Sequence, residues 1–364
     1  MYLEQILIAI SVCIQARIPV LIWGSPGTGK TSAITSIAKS LNLVLEVVIA
    51  SIKEPSDFSG LPFIDPITKS TCFAAPDWAK RLCDAGQGIL FFDELTTAAP
   101  AVQKALLRVV LEKVVGGLTL PNSISIIAAA NPPEEASDGY DLTPPLANRW
   151  IHVIWPNDAQ AWCHGMKHGW QKTSLPTLNA NWESHIKPVT TLVTGFIDKM
   201  PEMLYQFPTD TSSMGKAWPS NRSWDMAIKV MAACQSAQIC DEIMFTLVAG
   251  CIGEGAAAAF SSYLRELNLP DPETLLADPD SLVLTANRHD VIQATLMSVV
   301  TAVLRNMTVE RYRQGLRVLC KAATQGAFDI AWPAFSALDK HKPADANSAI
   351  PEMAIFKPFI ELVA

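Results

Sequence analysis

Charge is the scarcest ingredient of this chain. Asp, Glu, Lys and Arg together make up 17% of its 364 residues, against about a quarter in an average soluble domain. The residue types AVILMFWYC reach 49%, which excludes a disordered or collagen-like chain. Little charge beside an apolar excess raises the question of a membrane span, which needs about 20 mostly apolar residues. No such run exists. The longest uncharged stretch, Val114 to Pro133, is broken by Gly116, Gly117, Pro121, Asn122 and Pro132. The apolar run Val291 to Leu304 is too short and contains Gln293, Thr295 and Thr301. Surface covered by neighbouring subunits explains the low charge better than a bilayer does.

A basic excess is missing as well. The chain has 28 basic and 35 acidic residues, net −7, divided as −3 over residues 1–155 and −4 over the remainder. That balance excludes a design built on bulk attraction to phosphate backbones and makes nucleic acid an unexpected partner. The eight cysteines form no C-x-x-C pair and are scattered, so they read as buried thiols in a reducing compartment. Met1-Tyr2-Leu3-Glu4 has no basic n-region; a secretion signal is not expected, and a cytoplasmic location is. Cys163, His164 and His168 lie close in sequence, but a zinc site needs more ligands at suitable spacing, so an ordinary helix surface is expected there. No internal repeat is visible.

At about 150 residues per domain, the length suggests two or three domains. Apolar residues Leu3, Ile6, Leu7, Ile10 and Ile14 keep a helical rhythm. Short buried strands are expected at 19–23, 43–50, 88–92, 124–130 and 151–155, and helices at 32–40, 76–83, 100–113 and 144–148. Val114 to Pro121, with Gly116-Gly117 in the middle, reads as a hairpin. Strands alternating with helices imply parallel pairing in an α/β layer. After Pro156 strand signals fade and helical periods take over. The expected division is therefore an α/β domain over 1–155, a helical domain over 156–265 and a helical extension over 266–364.

Gly24-Ser25-Pro26-Gly27-Thr28-Gly29-Lys30-Thr31 fits G-x-x-x-x-G-K-[ST] between an expected strand and helix, the pattern of a phosphate-binding loop. Its glycines let successive backbone N–H groups converge on phosphate oxygens, and the following helix N-terminus adds positive potential. Lys30 supplies a full charge for the β- and γ-phosphates, and Thr31 a hydroxyl for Mg²⁺. Ile89-Leu90-Phe91-Phe92-Asp93-Glu94 then reads as a buried strand ending in two carboxylates. Asp93 is expected to hold Mg²⁺, directly or through water. Glu94 is expected to orient or deprotonate the attacking water.

With these two motifs in place, the chain resembles the AAA+ ATPases, and within them the MoxR-like branch. The matching text runs to about residue 235. It comprises Glu54 to Pro62, Phe92-Asp93-Glu94-Leu95, Val102 to Arg108, Ala130-Asn131-Pro132-Pro133, Pro144 to Trp150, and Trp218 to Trp224, in the family's order. The resemblance implies a P-loop NTPase sheet flanked by helices, an all-α lid, and a helical C-terminal extension that carries no motif. It makes Asn131 the sensor-1 residue, Arg149 an arginine finger acting on the next subunit, and Arg222 the sensor-2 arginine acting in its own. Arg149 is followed by Trp150 where the family has Phe, and Asn221 stands before Arg222 where Pro is usual.

Further implications concern assembly and activity. Arg108 is a weaker candidate for a second intersubunit cation, the alternative being a solvated helix face. The 53–63 loop and the Val114–Pro121 hairpin match regions facing a pore or a partner in this branch. Leu118 and Leu120 are exposed on that reading, while a hairpin packed on its own subunit is the alternative. Trp23 is expected to pack under the P-loop rather than stack on a base. The expected activity is Mg²⁺-dependent ATP hydrolysis in a homo-oligomeric ring or spiral, expected to have six subunits, that remodels a protein client. A von Willebrand factor A domain protein is the expected partner. A nucleotide-gated assembly scaffold is the alternative, and a nucleic-acid motor or helicase loader is disfavoured by the acidic balance.

Overall fold

The computed structural model describes residues 2–132, 135, 139–170, 173–267, 269–284, 288–343 and 355–356. In chain order the first elements are α1 (Leu3–Ala16), β1 (Val20–Trp23), α2 (Lys30–Ser40), β2 (Val44–Ile49), α3 (Ser56–Ser59), β3 (Leu61–Ile64), β4 (Thr71–Ala74) and α4 (Asp77–Ala85). They are followed by β5 (Gly88–Asp93), α5 (Pro100–Glu112), β6 (Val114–Val115), β7 (Leu118–Thr119), β8 (Ile124–Ala130), α6 (Pro144–Ala147) and β9 (Ile151–Ile154). Among the described residues the regular elements beyond are all helical: α7 (Ala159–His168), α8 (Ile186–Lys199), α9 (Thr211–Met214), α10 (Asn221–Ser236), α11 (Asp241–Ile252), α12 (Glu254–Glu266), α13 (Pro272–Ala277), α14 (His289–Arg305), α15 (Val309–Ala322) and α16 (Phe328–Asp339). None of the helices among the described residues is long and apolar enough to cross a membrane.

Five strands form one parallel sheet in the order β2-β5-β8-β1-β9. The two central strands explain the near-continuous apolar runs in the sequence. All seven residues of β8 are buried, as are the first three of β1, because helices cover both faces of a parallel sheet. One core cluster joins Phe58, Trp78, Phe92, Leu106, Leu146 and Trp150. This is the P-loop NTPase fold that the strand–helix alternation implies, with an all-helical C-terminal region.

The chain divides into two compact units, residues 1–179 with 202–258, and residues 180–201 with 259–364. The first contains the sheet and also α10 and α11, which pack on α1, with α11 lying over β9. In the second, α14 packs against α8, α13, α15 and α16 around a core that includes Leu296, Val303, Leu319, Phe335 and Leu338. Arg311 makes a bidentate pair with Glu273 at 2.7 and 2.9 Å, and Tyr312 Oη donates to Asp339 Oδ1 at 2.6 Å.

The two hairpins are backbone neighbours within the first unit. Gly116 N–H donates to Phe58 O at 3.1 Å and Gly117 N–H to Phe73 O at 2.9 Å. The β6–β7 hairpin exists as read from the sequence, but one expectation about it fails. Leu120 is 1% exposed and belongs to the core, and Leu118 packs partly against it. Gly116-Gly117 folds the hairpin back onto its own unit, and Leu120 N–H donates to Lys113 O at 2.7 Å, so the side chain turns inward. The exposed apolar residues lie on β3–β4 and its turn instead: Leu61, Phe63, Ile64, Ile67 and Phe73.

Candidate functional site

The register of the parallel sheet brings three strand ends together. Trp23 of β1 lies opposite Ala130 of β8, and Phe92 of β5 opposite Ala128 of β8. The residues just beyond, Gly24, Asp93 and Asn131, therefore meet at the C-terminal edge, where open α/β sheets bind ligands. Between β1 and α2 runs the glycine-rich loop. Gly27 and Gly29 have φ of 76° and 90°, left-handed values that turn the loop's N–H groups inward and that other residues adopt at a cost. Gly24 is required for another reason: a Cβ there would lie 2.7 Å from Trp155 Cβ. Trp155 also donates from Nε1 to Thr28 O at 3.1 Å, and Thr28 Oγ1 donates to Ser25 O at 2.7 Å, bracing the loop around Pro26.

Lys30 opens α2 and is 7% exposed. Its ammonium donates to Gly24 O, to Ser25 O at 2.9 Å and to Asn131 Oδ1 at 3.0 Å. Burial pulls its pKa below the usual lysine value, while Asp93 and Glu135 push back. Beside it, Thr31 Oγ1 donates to Asp93 Oδ2 at 2.6 Å. Hydroxyl and carboxylate oxygens so close form a hard donor set of the kind Mg²⁺ takes, with water completing the shell. The uncapped N-terminus of α2 and the Lys30 cation suit a polyphosphate. The residues present therefore fit ATP with Mg²⁺.

Glu94 follows Asp93 in a left-handed conformation, φ 56° and ψ 44°. Such a backbone is strained for a non-glycine residue, and strain of this kind gathers at functional sites. Ser51 Oγ donates to Glu94 Oε2. Thr96, 1% exposed, brackets Asn131 from both sides: its Oγ1 accepts from Asn131 N–H and donates to Asn131 O, each at 3.2 Å. Pro133, part of the sequence motif, lies outside the described residues.

Lys30, Thr31, Asp93 and Asn131 thus form one bonded group, with Glu94 joined to it through Asp93, whose Oδ1 accepts from Glu94 N–H at 3.0 Å. The two arginines stand apart from that group and share no hydrogen bond with it among the described residues. Arg149 N–H donates to Pro145 O, its Nε is buried without a partner, and burial first, then the charge of Arg222, lowers its pKa. Neither arginine makes an ion pair among the described residues. Arg108 is exposed and pairs with Glu112 at 3.2 Å. Trp23 packs rather than projecting for a base: its indole stacks on His152, ring centroids 6.0 Å apart. His164 and His168 lie on α7 with ring centroids 4.9 Å apart. Among the described residues no group of three or more His, Cys, Asp or Glu could hold a metal ion.

Sequence reasoning missed Ser51, Thr96 and Trp155. Their partners lie 43, 35 and 127 residues away, so spacing gave no signal. Only their position at strand and helix ends could have hinted at them.

Residues 20–140 match the family model described as "ATPase family associated with various cellular activities (AAA)". No curated protein matches the chain. Among solved structures, a proposed ATPase from Cytophaga hutchinsonii is similar at 16% identity with a TM-score of 0.47, over 72% of this chain and 91% of that one. A likeness of that degree speaks neither for the fold nor for the activity.

Proposed function

We propose, from the AAA-family ATPase domain that residues 20–140 carry, that the chain hydrolyses ATP with Mg²⁺ and uses the cycle to remodel a protein partner. The observation that carries the hydrolytic half is the bonded group at the strand ends. Lys30 bonds to Asn131 and Thr31 to Asp93, with the Glu94 carboxylate on the next residue. Magnesium, held by Thr31 and Asp93, would neutralise charge on the β- and γ-phosphate oxygens. Lys30 would add a second positive charge toward the phosphates. Glu94 orients the attacking water and takes its proton. Asn131, fixed by Thr96, holds that water against the γ-phosphate.

Arg149 is assigned to the γ-phosphate of the neighbouring subunit, where a finger in trans is worth about 10³–10⁵ in rate in related systems. The family resemblance has Arg222 act on its own subunit's nucleotide. Its charge is felt at Arg149, so the two side chains are neighbours. Such a finger requires a ring or spiral, and the MoxR-like resemblance makes it a hexamer with a von Willebrand factor A domain partner. In this reading residues 1–155 bind nucleotide, 156–265 are the lid and 266–364 the extension.

The test is direct. Glu94→Gln should bind ATP as the wild type does and lose Mg²⁺-dependent hydrolysis by 100-fold or more (about 3 kcal/mol of barrier). Absence of wild-type ATPase at every protein concentration would favour the nucleotide-gated scaffold. That rival has one observation of its own, the Ser51 bond that restrains Glu94.

A further inference from the structure

Hydrogen bonds and short backbone links run from the strand before the P-loop to the residues beside both arginines. Trp23, the last residue of β1, donates from Nε1 to His152 Nδ1 at 2.9 Å. With Nδ1 accepting, the ring proton of neutral His152 sits on Nε2, which lies 2.9 Å from Ala147 O and donates to it. Ala147 ends α6, and Asn148 comes next, 3% exposed. Both ends of its amide are engaged: Nδ2 donates to Trp218 O at 3.0 Å, and Oδ1 accepts from Ser220 Oγ at 2.6 Å. Ser220 caps α10 by accepting from Ser223 N–H at 3.1 Å, while Ser223 Oγ accepts from Ser220 N–H at 2.8 Å. Arg149 follows Asn148 directly, and Arg222 is the second residue of α10.

This arrangement answers a physical problem. Arg149 is half-buried and feels the charge of the exposed Arg222, and like charges push each other apart. A joint between their parent helices has to resist that push. The Asn148 amide is the joint: it ties the end of α6 to the cap of α10 with one donor and one acceptor, and a buried amide satisfied at both ends admits one orientation.

We propose that Asn148 is a positioning residue that holds Arg149 and Arg222 as one unit, and that His152 and Trp23 couple the stance of that unit to the nucleotide bound at the chain's own P-loop. The proposal rests on the reading that Arg149 acts in trans. A subunit then reports its own nucleotide state to the site it completes next door.

The experiment uses the full chain and mixed assemblies. Arg149→Ala mixed with Glu94→Gln is the reference, because each hybrid interface can recover one intact site. Asn148→Ala should bind a fluorescent ATP analogue within about twofold of wild type, lose at least tenfold in kcat, and regain activity on mixing with Glu94→Gln. Ser220→Ala should follow the same pattern, with Ser220→Thr close to wild type. A residue that only stabilised its own subunit would instead lose nucleotide binding and gain nothing from mixing. If the reference mixture recovers activity and neither the Asn148→Ala nor the Ser220→Ala mixture does, the positioning role is overturned while the trans reading stands. If the reference itself recovers nothing, the trans reading fails and takes this proposal with it. Wild-type activity in Asn148→Ala also overturns it. For the coupling, Trp23→Phe keeps the ring and loses the donor. The Hill coefficient for ATP should exceed 1 in wild type and fall towards 1 in this variant; a wild-type value of 1, or an unchanged value in the variant, overturns the coupling.

Discussion

Glu94 combines a strained backbone with a restrained side chain, and the two observations suggest different experiments. The left-handed conformation costs about 1 kcal/mol for a residue with a Cβ. The Ser51 bond holds one carboxylate oxygen that the proposed base would need when it meets water. Ser51→Ala should therefore raise basal ATPase severalfold with little change in ATP affinity, read by steady-state turnover; a fall in turnover would instead make Ser51 an aid to the base. His152 offers a pH signature. Burial lowers its pKa from 6.5 to about 4, against a smaller opposing effect of the Ala147 carbonyl. Between those values the unfolded chain takes up a proton that the folded chain refuses, so stability falls as pH drops from 6.5 to 4, by about 3 kcal/mol at most. Thermal unfolding of His152→Gln, which has nothing to protonate there, should show a flatter pH dependence over that window. At this scale the sequence was legible wherever chemistry is contiguous. The eight-residue loop, Asp93-Glu94 and Asn131 could be read in place. Thr96, Asn148 and His152 could not, because their roles are defined by partners on other elements.

Elements were legible where burial sets the pattern. Central strands of a parallel sheet are apolar throughout, and β1, β5 and β8 stood out on that account. The hairpins show where the reading stopped. The one at 114–121 could be read from Gly116-Gly117, while the stretch holding β3 and β4 read as a loop; which side chains face outward depends on where the turn docks, and Leu120 turned in. The docking point is a backbone crossing. A Cβ on Gly60, whose φ is 83°, would lie 2.6 Å from Ala74 O and 2.8 Å from Gly116 Cα. Gly60→Ala combines a left-handed alanine with a clash against backbone atoms that cannot rotate away. It should cost about 2–4 kcal/mol, measured by chemical denaturation, whereas alanine at Gly86, with nothing within 4 Å of a Cβ, should cost only the conformational part.

Across the whole molecule, the roles proposed for the two arginines would decide how subunits cooperate. Arg149→Ala mixed with Arg222→Ala should recover no ATPase if both serve one site, because every hybrid interface then lacks one of the pair. Recovery would mean that Arg222 serves its own subunit. The low charge fraction that opened the question of a membrane fits an assembly with much shared surface. The last hundred residues stayed opaque because a helical core such as that around Leu319 and Phe335 needs only periodicity, which specifies a helix and not a task.

The position of β1 in the sheet has a consequence for synthesis. This strand begins at residue 20, yet its two neighbours, β8 and β9, begin at residues 124 and 151. At about 5–20 residues per second, β1 waits on the order of 5–20 s for its first partner to leave the ribosome. Throughout that interval a bare Val-Leu-Ile-Trp segment is exposed on the nascent chain. The interval before β8 emerges is therefore the stage of synthesis at which this chain is expected to be most prone to aggregate.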